Sequence, residues 1–176
     1  MKLGAQFFTL RERNKTPEGL YESFRRVKEI GYQVVQMSAI CQIEAERLKA
    51  FSDEFDLPIT CTHSPLDRIL NDTEALVKEH ITYGCPVVGL GMMPKEYHGS
   101  IEGARTFIDL IREPIKRIED AGLRFAYHNH EFEFVDLGGV CSYDLLLWFY
   151  EWYSRIHRCF GSLYIRNIDW NFQNSH

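Results

Sequence analysis

Residues 2–15 read Lys2-Leu3-Gly4-Ala5-Gln6-Phe7-Phe8-Thr9-Leu10-Arg11-Glu12-Arg13-Asn14-Lys15. From Lys2 to Phe8 small and bulky residues alternate, which predicts a first β-strand. Just beyond, Thr16-Pro17-Glu18 supplies an N-cap, a proline at the first helical position and an acid in the first turn. The connection between strand and helix decides the fold. An open doubly wound sheet built to hold a dinucleotide expects a glycine-rich phosphate turn at this point. Thr9 to Lys15 contains no glycine at all. A closed barrel makes no such demand, provided the rest of the chain alternates strand and helix.

It does alternate. Leu20, Phe24, Val27 and Ile30 follow at helical spacing, and Gly31 closes that helix. Residues 32–38 form a second strand of β-branched character, and residues 42–55 a second helix carrying Ile43, Leu48, Phe51 and Phe55. Residues 57–63 are a third strand, with Pro58 near its start, where a missing donor is tolerated. Asp72-Thr73-Glu74 caps a helix over residues 75–83, and Gly84 ends it. Residues 86–92 make a fourth strand. A long helix is expected from about residue 100 to 121, kinked or divided at Pro114. Residues 123–130 are the fifth strand. Short apolar strands in regular β-α alternation predict a parallel sheet covered by helices, and the glycine-free first loop makes it a (β/α)8 barrel of the TIM type.

Composition fits a folded, water-facing protein. At 45% hydrophobic and 26% charged, 176 residues can build one substantial core. The net charge of −5 gives no basis for binding nucleic acid or an anionic membrane. No apolar run reaches the ~20 residues that span a bilayer, and residues 1–15 lack the pattern of a signal peptide. Five widely spaced cysteines without a C-x-x-C pair suit reduced thiols in the cytoplasm.

Eight βα units take about 250 residues, and this chain has room for five to six. Residues 1–139 hold five units; residues 140–176 change character. All three tryptophans (Trp148, Trp152, Trp170) lie in this tail, whose last stretch carries only Glu151 and Asp169 as acids. A helix is expected over residues 143–153 and a strand over 163–168. Either the tail is a divergent aromatic cap on an incomplete sheet, or it is the product of a shifted reading frame or truncated gene.

Barrel sites sit at the C-terminal ends of the strands. On the fifth strand, Phe125 and Tyr127 share one face while Ala126, His128 and His130 share the other. Bulky aromatics belong between sheet and helices, so His128 and His130 point inward as candidate metal ligands, with Glu131 or Glu133 to supply an oxygen. His63 ends the third strand on the same rim and is a candidate acid or base. Gln36, Arg68 and Asn129 are candidate substrate contacts. Gly89 and Gly91 leave room for a ligand, and His80 and His98 are expected on the surface.

Three strings among these residues, YHNHEFEF at 127–134, CTHSPLDRILND at 61–72 and VVQMSAI at 34–40, resemble the sugar phosphate isomerase/epimerase family. That family has the xylose isomerase-like TIM barrel, related to the endonuclease IV fold, and the resemblance runs from residue 1 to about 139. It implies a divalent metal (manganese, zinc or magnesium) at the barrel mouth and proton transfer next to the carbonyl of a sugar or sugar phosphate. It makes Glu133 the better of the two glutamates, as a proton-transferring group. The family continues with an Asp-Thr-Tyr-Trp-like sixth strand, a His-Lys-Asp string and a final acid; here only Asn167-Ile168-Asp169-Trp170 faintly echoes them. An open half-barrel exposes strand edges, which implies a homodimer. The alternatives are a non-catalytic sugar-binding or self-assembling half-barrel, and an abasic-site endonuclease, against which the acidic balance counts.

Overall fold

The computed structural model describes residues 2–157, with side chains to residue 150. Five short strands alternate with helices: β1 (Gly4–Gln6), α1 (Pro17–Ile30), β2 (Val34–Met37), α2 (Ala45–Glu54), β3 (Ile59–Thr62), α3 (Leu66–Asn71), α4 (Thr73–Thr82), β4 (Val87–Leu90), α5 (Ile101–Asp120), β5 (Arg124–Tyr127) and α6 (Ser142–His157). The caps read from the sequence at Thr16 and Gly31 are in place and Ser100 adds another, whereas Asp72 precedes α4 without a side-chain cap hydrogen bond. Thr16 accepts from the Gly19 N–H at 3.1 Å, Ser100 accepts from the Gly103 N–H at 3.0 Å, and Gly31 closes α1 in the left-handed region at φ 102°.

Every strand pairing is parallel, and spatial order follows sequence order. β1, β2 and β3 form one ladder, and β4 and β5 another. The seam between them is held by a parallel bridge of Ser64 to Leu90, with the Ser64 N–H donating to the Gly89 carbonyl at 2.7 Å. An order of 1-2-3-4-5 without reversal is a barrel wall; a doubly wound sheet reverses at a switch point. Among the described residues, β1 and β5 stand at the two edges.

Alternate residues face the helices and build two packed regions. Val35 and Met37 meet Phe24, Val27 and Phe51, and the Phe7 and Phe24 rings stand edge to face at 5.1 Å. Val88, Leu90 and Phe125 meet Phe107, Ile111, Ile115 and Ile118 of α5, which Leu145 and Leu146 of α6 join. The tail therefore begins as part of the body's core.

Pro114 does not divide α5, which runs unbroken for 20 residues. The buried stripe from Phe107 to Ile118 holds both halves against the sheet, which offsets the one backbone hydrogen bond that proline removes. Helix α3 occupies a stretch in which no helix was expected. The strand expected over 163–168, with Trp170, lies outside the described residues. No described helix is long and apolar enough to cross a membrane.

Candidate functional site

The inner face of the wall, opposite the helices, is small and polar. Gln6 lies level with Gln36, Gln36 with Cys61, and Gly89 with Ala126 in the strand registers. Val35 and Met37 point into the core, so alternation turns Gln36 inward, where it stands half-buried. Gln6 shares this face, and nothing in its local sequence marks it; only the register reveals it.

At the C-terminal end of the wall, strand ends two places apart bring three imidazoles together. His63 follows β3, and its backbone N–H continues the ladder to the Met37 carbonyl at 2.8 Å. His128 follows β5, its N–H bonded to the Leu90 carbonyl at 3.0 Å. The ring centroids of His63 and His128 lie 5.1 Å apart, and those of His128 and His130 4.9 Å, each pair near edge to face. The buried Ser38 sets its hydroxyl 3.3 Å from His63 Nδ1. Gly91 stands beside the same ring: a Cβ there would come within 3.1 Å of His63 Nδ1.

Burial first, then the neighbouring rings of His128 and His130, lower the His63 pKa to about 4. Burial, with His130 beside it, lowers that of His128 as well. Both are neutral at pH 7, and a neutral imidazole keeps one nitrogen lone pair for a proton or ligand.

Glu133 is placed differently from its expected role. It is 0% exposed and belongs to a tight turn, Glu131–Phe134, rather than to the open mouth. One carboxylate oxygen accepts the Tyr127 hydroxyl and the other accepts the His130 backbone N–H at 2.7 Å. The Tyr127 hydroxyl in turn accepts the Met93 N–H at 3.0 Å, which ties the loop after β4 to the loop after β5. Burial, then the hydrogen bond to Glu133, hold the Tyr127 phenol protonated. The carboxylate fixes the segment that carries His130. A third partner of that segment is Phe132, stacked between the rings of His98 and His130 at 3.5 and 5.8 Å.

Other expected contacts are also redirected. Arg68 is a paired structural cation: its guanidinium grips both oxygens of Glu79 at 2.8 and 3.0 Å and reaches Asp72 at 2.9 Å. Asn129 is half-buried between the two histidines. The glycines do not leave space for a ligand; a Cβ at Gly89 would come within 2.0 Å of the Thr62 carbonyl, so strand β3 itself fills that room. His80, expected on the surface, is completely buried. Its Nδ1 lies 2.7 Å from the Leu76 carbonyl, which can only accept, so Nδ1 carries the proton and Nε2 accepts from the Thr62 hydroxyl at 2.9 Å.

A bound divalent ion of the manganese, zinc or magnesium type would need several converging donors, carboxylates above all for magnesium and manganese. No group of three or more such side chains among the described residues is arranged to hold a metal. The rim offers imidazoles, and the Glu133 carboxylate is spent on Tyr127 and His130. The described residues do not fit a closed metal centre.

No protein-family model matches the chain, and neither does any curated protein. Solved structures do. The chain is similar to a sugar phosphate isomerase/epimerase from Parabacteroides distasonis ATCC 8503, with a TM-score of 0.67 and 20% identity over 84% of this chain and 64% of that one. It is similar also to a xylose isomerase-like TIM barrel protein from Mycobacterium smegmatis in complex with magnesium, with a TM-score of 0.63 and 14% identity over 85% of this chain and 60% of that one. A family 2 AP endonuclease from Brucella melitensis follows, with a TM-score of 0.57 and 13% identity over 72% and 55%. The fold is the xylose isomerase-like TIM barrel, of which the described residues make five strands. The chain spans about three-fifths of the length of these structures.

Proposed function

We propose that the rim of His63, His128 and His130 binds a small hydroxylated carbonyl compound of the sugar or sugar phosphate class and moves a proton next to its carbonyl. The observation that carries this reading is the convergence of three imidazoles from two strand ends, two of them, His63 and His128, held neutral by burial and by a neighbouring ring. The fold, shared with a sugar phosphate isomerase/epimerase, supports it.

With His63 Nδ1–H donating to the Ser38 hydroxyl, Nε2 keeps the free lone pair and is the working atom. A neutral imidazole there takes the proton from the carbon beside the carbonyl, and the electron pair of that bond moves onto the carbonyl oxygen to give an enediolate. Return of a proton to the neighbouring carbon gives the isomer, and return to the opposite face gives the epimer. Gln36 and Asn129 hold hydroxyls of the substrate. A divalent metal polarises the carbonyl in sites that contain one; the donors described here do not make such a site, and no step depends on it. Glu133 acts as a positioning residue, through His130. The unpaired edges of β1 and β5 support a homodimer, and the free thiols of Cys41, Cys61, Cys85 and Cys141 suit a reducing compartment such as the cytoplasm.

The test is deuterium exchange. A panel of aldoses and ketoses, free and phosphorylated, is incubated with the chain in D2O and read by proton NMR. Loss of the signal next to the carbonyl is expected, slowed ~100-fold or more by His63→Asn or His128→Asn. A full panel without exchange, with and without added Mn²⁺ or Mg²⁺, overturns the reading.

A further inference from the structure

The glycine-free loop after β1 that argued for a barrel also carries an unusual charge. Arg11, Arg13 and Lys15 stand there against a single acid, Glu12, in a chain of net charge −5. Across the rim, the loop after β5 carries Glu131, Glu133 and Asp136 with no lysine or arginine. The site mouth is therefore electrically asymmetric, positive beside β1 and β2.

A cleft of about 460 Å³ opens on the positive side. Arg11, Glu12, Asn14 and Lys15 line it from the first loop, and residues 39–41 from the loop after β2. The two loops are locked together by the Cys41 N–H, which donates to the Asn14 carbonyl at 2.7 Å. Asn14 is 0% exposed; its Nδ2 donates to the Phe7 carbonyl at 3.2 Å, while its Oδ1 is buried without a partner and, as an acceptor, suits a hydroxyl of the ligand and not its oxyanion. Ala39 holds a left-handed backbone at φ 52°, a conformation that L-residues adopt only where the surroundings enforce it. Ser38, one residue earlier, is the residue that touches His63, so one short segment runs from the imidazole cluster to the cleft lining.

We propose that this cleft binds the oxyanion end of a small ligand, with Arg11 and Lys15 as the ligating cations. Arg11 Nη1 donates to the Phe8 carbonyl at 3.1 Å, and its guanidinium lies over the Phe8 ring. Glu12 stands where such an anion would sit: its carboxylate lies 2.5 Å from Lys15 Nζ and 3.9 Å from Arg11 Nε. Both pairs are solvent-exposed, and such pairs are held weakly enough for a doubly charged oxyanion to displace them. Phosphate and carboxylate share the required chemistry. The inference rests on the rim being a ligand site, and not on the proton transfer.

The test titrates the full chain with inorganic phosphate, and separately with acetate, at ionic strength fixed with chloride. Amide NMR shifts of residues 11–15 and 39–41 are followed. Saturable shifts confined to these segments are expected, with affinity reduced ~10-fold in the Arg11→Ala/Lys15→Ala double variant and raised several-fold in Glu12→Gln. Saturation by phosphate alone assigns a tetrahedral dianion, and equal saturation by acetate assigns a carboxylate. Phosphate binding is read from amide shifts without any turnover, so a failed exchange experiment leaves this result standing. Shifts that do not saturate, or equal affinity in the double variant, overturn the proposal. So does weaker binding in Glu12→Gln.

Discussion

Glu133 accepts the Tyr127 hydroxyl on one oxygen and the His130 N–H on the other, with no exposure to water. Replacing it by glutamine keeps the shape but turns an amide N–H₂ or a neutral oxygen toward groups that both donate. One buried donor is left unpaired, at a cost of ~1–3 kcal/mol. Glu133→Gln is therefore expected to lower the urea midpoint without changing the slope. The same scale governs pH. Unfolded imidazoles take up protons near pH ~6.5, whereas folded His63 does so only at about 4. Below pH ~6.5 the unfolded chain binds more protons, so the stability present above that pH is lost as pH falls toward 4. His80, also lowered by burial, adds with the same sign. Melting temperatures taken from pH 7.5 down to 4.5 should fall, and His63→Asn should flatten the slope.

The elements meet at a seam that has little tolerance. β3 and β4 are joined by the Ser64–Leu90 bridge, the Ser64 bond to the Gly89 carbonyl and a longer contact of the Gly89 N–H with the Thr62 hydroxyl at 3.4 Å. Below it lies the His80–Thr62–Ser64 network, with Thr62 and Ser64 hydroxyls 3.0 Å apart. A methyl group at Gly89 would drive into the Thr62 carbonyl. Gly89→Ala is expected to cost ~3 kcal/mol or more by overpacking, and to part the two ladders. Loss of amide-exchange protection at Ser64, ahead of His128 within the β4–β5 ladder and ahead of the α1 amides, would show the seam opening first. The seam also carries function, because His63 and His128 lie on opposite sides of it.

For the whole molecule, the described residues leave β1 and β5 as parallel edges, each paired on one side and with no described strand on the other. Exposed apolar side chains lie near both: Leu3 and Phe8 beside β1, and Phe134 and Val135 beyond β5. Edges of this kind are paired or covered in stable proteins. Sedimentation velocity should accordingly show a concentration-dependent species of twice the chain's mass. A lone monomer at high concentration would remove the homodimer from the proposed function.

Much of this architecture was legible from local chemistry. Thr16 and Gly31 marked helix ends because caps are satisfied within a few residues, while Asp72, read as a cap, makes no side-chain cap hydrogen bond. The alternation of Phe125, Ala126, Tyr127 and His128 placed two imidazoles on the inner face because a strand's period is two. The glycine-free loop at Thr9 to Lys15 pointed to a barrel, and the 1-2-3-4-5 order bears that out. What the sequence by itself determined was thus whatever depends on neighbours along the chain: elements, faces and the parallel wall. Only the tertiary structure decided which polar groups meet across strands. It paired Arg68 with Glu79, buried His80 under Thr62, seated Ser38 against His63 and turned Glu133 inward to Tyr127. Those outcomes depend on register and on which donors each buried acceptor can reach, and neither is written in local spacing.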